Sequence, residues 1–142
     1  MQITRQADYA LRAIYHLTKL EPTQRAATSQ IAQEQRIPPS FLAKIISQLS
    51  IAGLIHTSRG ARGGVTLARK PEEITILEVV EAIDGPIALN ECTTTPESCP
   101  FGDNCPLRKL WCGTQSELVE KLRNTTFAQF MAEAGVSSVN AD

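Results

Sequence analysis

Prolines and glycines divide residues 20–70 so closely that few folds can accommodate the segment. Glu21-Pro22 stops one apolar-periodic run, because the residue before a proline is driven out of the α region. Ile37-Pro38-Pro39 breaks a second, much shorter run, and Gly53 ends a third. The connector Arg59-Gly60-Ala61-Arg62-Gly63-Gly64 carries three glycines, which permit the positive φ values of a hairpin between two β-prone stretches. A helix, a two-turn helix, a tight break, a longer helix and a hairpin, in that order, predict a winged helix-turn-helix.

The local patterns place each element. Thr4 is the expected N-cap of a helix reaching about Leu20, with Ala7, Leu11, Ile14 and Leu17 on its buried face. Thr28 is the expected cap of a short helix over 29–35 that holds Ile31 and Ala32 inward. The next helix covers about 40–52 and buries Leu42, Ile45, Ile46 and Leu49. Strands are expected at 54–58 and 65–68, and a further helix over 74–83, capped by Thr75 and stopped by Asp84-Gly85-Pro86. Residues 88–105 are rich in Thr, Pro, Asn, Glu and Cys without periodicity, and predict a long irregular loop. Leu107, Leu110, Trp111, Leu118 and Leu122 mark a long amphipathic helix, and Thr125-Thr126 cap a last short helix through Ala134. The expected fold class is mainly α: a winged helix-turn-helix with a small β-hairpin wing and a long C-terminal dimerisation helix. Its parts are a DNA-binding domain at 1–85, a cysteine loop at 86–106, the dimerisation and terminal helices at 107–134, and a flexible tail at 135–142.

Charge points to the partner. Residues 1–70 carry ten Lys/Arg and three Asp/Glu, a net of +7; residues 71–142 carry four and twelve, a net of −8. The first part is suited to a polyanion and the second is not. In a helix-turn-helix the second helix enters the major groove with its N-terminal residues on base edges. Ser40, Ala43, Lys44, Ser47 and Gln48 are the exposed candidates there. Lys44 suits guanine or phosphate, and Gln48 suits adenine. Arg59 and Arg62 in the wing suit a narrow minor groove or a phosphate. The expected partner is double-stranded operator DNA.

Four cysteines, in a chain whose first residues show no apolar signal segment, predict cytoplasmic metal or redox chemistry rather than disulfides. Cys92, Cys99, Cys105 and Cys112 are separated by six, five and six residues. No pair has the close spacing of a zinc finger or ribbon. An iron–sulfur cluster tolerates such irregular spacing when a loop wraps it, and Cys-Pro steps such as those at Cys99 and Cys105 occur in ferredoxin-type sites. Helical rise places Cys112 roughly 10 Å from Cys105, too far for one cluster, so its expected place is the dimer seam.

These residues together carry a resemblance. The opening Met1-Gln2-Ile3-Thr4-Arg5-Gln6-Ala7-Asp8-Tyr9-Ala10-Leu11-Arg12 resembles the first helix of the Rrf-two family of bacterial regulators. The wing Arg59-Gly60-Ala61-Arg62-Gly63-Gly64-Val65 resembles that family's Arg-Gly-x-x-Gly-Gly stretch, and Cys92, Cys99 and Cys105 resemble its sensing loop. The resemblance covers about 1–134. It implies a homodimeric winged-helix transcription factor, a repressor holding a 4Fe–4S or 2Fe–2S cluster that senses nitric oxide, redox state or iron supply. It departs from the IscR-like branch, whose histidine is replaced here by Arg108 and whose recognition-helix glutamate is replaced by Ala43. Asp8 stands where the NsrR-like branch has an aspartate ligand donated across the dimer, which makes it the implied fourth ligand.

A cluster-free regulator responding to thiol oxidation or a partner protein is the alternative. An enzyme is not expected, since His16 and His56 lie in a helix and a strand pattern without a paired nucleophile. No apolar run approaches the roughly 18 residues of a membrane span.

Overall fold

The computed structural model describes residues 2–21, 24–61 and 63–131. Helix α1 is Arg5–Thr18, and Thr4 Oγ1 accepts the Ala7 N–H at 3.1 Å as its cap. Ala7, Ala10, Ala13, Ile14 and Leu17 are buried, while Leu11 is half-buried. The helix closes at Lys19, whose N–H reaches the His16 and Leu17 carbonyls, short of the expected Leu20.

Helix α2 is Thr28–Gln35, and its N-cap is Ala27 rather than the expected Thr28. The reason is tertiary. Ala26 exchanges two backbone hydrogen bonds with Val65, at 3.1 and 2.8 Å, which holds the chain extended up to Ala27. Helix α3 is Pro39–Ile51, with proline in its first turn, where the missing N–H costs nothing. It buries Leu42, Ile45, Ile46 and Leu49, as the spacing predicts. Strands β1 (Ile55–Ser58) and β2 (Gly64–Leu67) form the antiparallel wing, in register from Ile55 opposite Leu67 to Ser58 opposite Gly64.

Helix α4 is Ile76–Asp84. Thr75 caps it in a reciprocal box with Glu78, so the helix begins two residues later than Ile74. At its far end the Asp84 carboxylate accepts from the Thr4 hydroxyl at 2.5 Å and from the Thr4 N–H at 3.3 Å, tying α4 to the start of α1. The segment expected to be irregular folds into three 3₁₀ turns, Glu91–Thr93, Pro96–Ser98 and Gly102–Asn104. Helix α5 follows at Pro106–Arg123.

One core joins α1, α2, α3, the wing base and α4, and centres on Ile14, Ile31, Leu42, Ile45, Leu49 and Val79. Phe127, beyond α5, belongs to the same core at 1% exposure. Its N–H bonds the Ile74 carbonyl at 3.1 Å, and the Ile76 N–H bonds Thr125 at 3.0 Å. Residues 127–131 are helical; the expected end at Ala134 and the expected tail at 135–142 lie outside the described residues. A second cluster sets Leu77, Val80 and Ile87 against Leu118, Val119 and Leu122. No described helix is long and apolar enough to cross a membrane.

A candidate DNA-binding surface and a cysteine loop

The burial of Leu42, Ile45, Ile46 and Leu49 leaves Ser40, Ala43, Lys44 and Ser47 on one outward strip of α3. A groove of about 950 Å³ runs beside this strip, between α3 and the wing, with Ala43, Ser47 and Ile51 on one wall and Thr57, Arg59 and Gly60 on the other. Arg59 is exposed on the wing side. Arg62 lies outside the described residues. Gln48 differs from expectation. It is half-buried rather than exposed, and its Oε1 is enclosed without a hydrogen-bond partner among the described residues.

The hairpin between the strands depends on Gly63. A Cβ there would collide with the Ser58 carbonyl and stand 2.8 Å from the Arg59 carbonyl carbon and 2.9 Å from the Gly60 oxygen. The Gly63 N–H in turn bonds the Gly60 carbonyl at 2.9 Å, so the turn closes on itself.

Cys92 is inside the first 3₁₀ turn, Cys99 ends the second, and Cys105 ends the third while serving as the N-cap of α5. All four cysteines are free and half-buried. Hydrogen bonds among the described residues fasten this loop to α5: Arg108 Nε donates to the Cys92 carbonyl at 3.0 Å, and the Leu89 N–H donates to Gln115 Oε1 at 2.9 Å. Asp8 forms a 3.0 Å ion pair with Arg12 one turn along α1, both half-exposed. The five-residue apolar stripe expected on α5 divides. Leu118 and Leu122 pack on α4, whereas Leu107, Leu110 and Trp111 are 63%, 55% and 37% exposed.

His16 is structural, as its position in the helix pattern predicts. It is buried, with Nδ1 3.3 Å from Glu34 and 3.4 Å from the Gln35 amide, and with Nε2 unpartnered. Burial pushes its pKa below the usual value; Glu34 opposes this and Lys19 adds to it. His56 is exposed on β1. Phe127 and the wing-facing Arg25 escaped the sequence reading. Each acts through a partner far away in the chain, and no local pattern marks such a residue.

The Rrf2 family model, described as an iron-dependent transcriptional regulator, matches residues 3–133. The chain belongs to the Rrf2 family. Among its relatives is protein rrf2 of Nitratidesulfovibrio vulgaris Hildenborough, 32% identical over 141 residues and covering 99% of this chain and 94% of that one. CymR, the global cysteine regulator of B. subtilis, superposes with a TM-score of 0.80 at 26% identity, covering 94% of this chain and 98% of its own. IscR of T. potens shares the fold, with a TM-score of 0.77 at 22% identity over 94% of this chain and 88% of that one. The protein is thus an Rrf2-type, DNA-binding transcriptional regulator of winged-helix fold.

An iron–sulfur cluster in an Rrf2 regulator calls for soft thiolate donors. Three cysteines on consecutive turns of one loop supply that donor chemistry, so the donor set fits. Among the described residues, no three His, Cys, Asp or Glu side chains are drawn together as a single metal ion would need.

Proposed function

We propose that the protein is a homodimeric repressor whose operator affinity is set by an iron–sulfur cluster, 4Fe–4S or 2Fe–2S. Ser40, Lys44 and Ser47 face the major groove, and Arg59 with Arg62 serve the minor groove or the adjacent phosphates. Cys92, Cys99 and Cys105 are the ligands from the loop, and Asp8 of the partner subunit is the fourth. When bound, such a cluster supplies iron chemistry responsive to nitric oxide, redox state or iron supply. The observation that carries the reading is the placement of three half-buried thiols on a loop fastened to α5, next to an uncovered apolar stretch of that helix. A second copy covering Leu107, Leu110 and Trp111 would lie against that loop, so a change in the loop reaches the spacing of the two winged heads.

The test is a set of single Cys→Ser variants reconstituted without oxygen. Cys92→Ser, Cys99→Ser and Cys105→Ser should each lose most visible absorbance, and Cys112→Ser should retain it. Asp8→Ala should keep a cluster with an altered spectrum and faster loss. Bleaching by Cys112→Ser with a silent Asp8→Ala would replace the mixed ligand set with four cysteines.

A second reading, regulation by thiol oxidation without a cluster, is supported by four free, half-buried thiols. Its outcome is a colourless anaerobic protein whose DNA affinity changes with thiol oxidants.

A further inference from the structure

The segment leading into α2 is part of the wing. Ala26 pairs with Val65 through both of its backbone groups, which adds a third, one-residue strand beside β2. The preceding residue, Arg25, sends its guanidinium across that sheet. Its Nη1 donates to Ser58 Oγ at 3.1 Å. Ser58 is the last residue of β1, and its register partner is Gly64. Gly64 is what allows the crossing. A Cβ at that position would stand 2.8 Å from the Ala26 carbonyl oxygen and 3.1 Å from the Arg25 Cβ. The arginine therefore reaches across the strands to the tip-ward end of β1 and ends on the residue that immediately precedes Arg59.

The geometry points to Arg25 as a positioning residue for DNA recognition: its hydrogen bond to Ser58 fixes the tip-ward end of β1 and so sets where Arg59 stands relative to α3. The hairpin pairs four residues of each strand and ends in a glycine turn. An isolated two-stranded hairpin is marginal in water, and most of this wing's apolar anchoring, Ile55 and Val65, sits at or below the level of the Ala26 bridge. The distance from α3 to the wing decides whether both can reach adjacent grooves at once. This inference rests on the reading that Arg59 contacts DNA.

The experiment is a mutant cycle on the full-length protein. The probe is a duplex selected from a random-sequence library by the unmodified protein, compared with an unselected duplex of equal length at matched salt. Arg25→Met keeps the aliphatic stem and removes the guanidinium; Ser58→Ala keeps the charge and removes the acceptor. Each should weaken the selected duplex by roughly three- to tenfold. The double variant should be no worse than Arg25→Met. In an Arg59→Ala background both substitutions should have little further effect, while affinity for the unselected duplex changes little with Ser58→Ala. Circular dichroism melts that match the unmodified protein separate this from a loss of fold. If Arg25→Met lowers affinity for both duplexes alike and Ser58→Ala is silent, Arg25 is a plain phosphate contact and the inference falls. Effects that add to those of Arg59→Ala overturn it as well, with the wing reading intact. A silent Arg59→Ala in the unmodified background overturns the wing reading and the inference together.

Discussion

His16 shows how one enclosed atom sets a pH dependence. Its Nε2 has no partner, so a proton placed there becomes a buried donor without an acceptor. Burial accordingly lowers the folded-state pKa below the unfolded value near 6.5, against the pull of Glu34. At pH above the unfolded value the imidazole is neutral in both states, and its contribution to stability is complete. As the pH falls through 6.5 towards the depressed value, the unfolded chain binds a proton that the folded chain refuses, and stability is lost. Urea unfolding between neutral and mildly acidic pH should show this loss, and His16→Gln should flatten it; an unchanged slope would remove His16 as the cause. Gly63 makes a steric counterpart. The atoms that a Gly63→Ala methyl would meet are all backbone, so none can swing aside. The variant should lose about 1–3 kcal/mol of stability and most of its DNA affinity, with amide shifts confined to the wing by NMR. Retained affinity would show that the wing turn has another way to close.

At the scale of elements, α5 is two half-helices with different duties. Its second half lays Leu118, Val119 and Leu122 on Leu77, Val80 and Ile87, and the chain beyond it delivers Phe127 into the main core. Its first half leaves Leu107, Leu110 and Trp111 uncovered. Phe127→Ala should therefore cost about 3–5 kcal/mol in chemical denaturation. Leu110→Ala combined with Trp111→Ala should leave the melt nearly unchanged and weaken self-association in light scattering. A monomer in the unmodified protein at micromolar concentration would contradict the assignment of that face to a second copy. Helices α1, α3 and α4 were legible because their signals are local: Thr4 and Thr75 as caps, proline at the start of α3, and spaced apolar residues. The α2 cap was misplaced for a physical reason, since the bridge from Ala26 to Val65 decides where the helix starts and no neighbouring residue encodes it. The 3₁₀ turns were hidden for another: three-residue turns lack a hydrophobic period. Phe127 lies in the expected terminal helix, but its place in the main core is not legible locally, because its partners at Ile74–Ile76 are remote in sequence. The candidate DNA strip on α3 was readable from periodicity alone, apart from Gln48, whose flank position encloses its oxygen.

Across the whole molecule, the charge division becomes spatial. Arg59 lines the groove between α3 and the wing and Lys44 is exposed on α3, while the net −8 of residues 71–142 falls on the chain from the Pro71–Glu73 turn onward. A polyanion approaching the acidic part meets repulsion, so the field orients the winged head towards DNA before any base is touched. Binding of this kind releases counterions, and its logarithm falls linearly with the logarithm of salt concentration by about 0.9 for each neutralised phosphate. In a dimer every such residue counts twice. If Lys44 contacts phosphate, Lys44→Ala should shrink the slope by about 2 and weaken specific and random duplexes alike. If it reads a guanine edge, the slope should hardly move and the loss, about 1–3 kcal/mol, should fall on the selected duplex alone. Fluorescence anisotropy titrations over a salt series distinguish these two roles. An unchanged slope together with unchanged affinity for both duplexes would take Lys44, and with it this strip of α3, off the DNA surface.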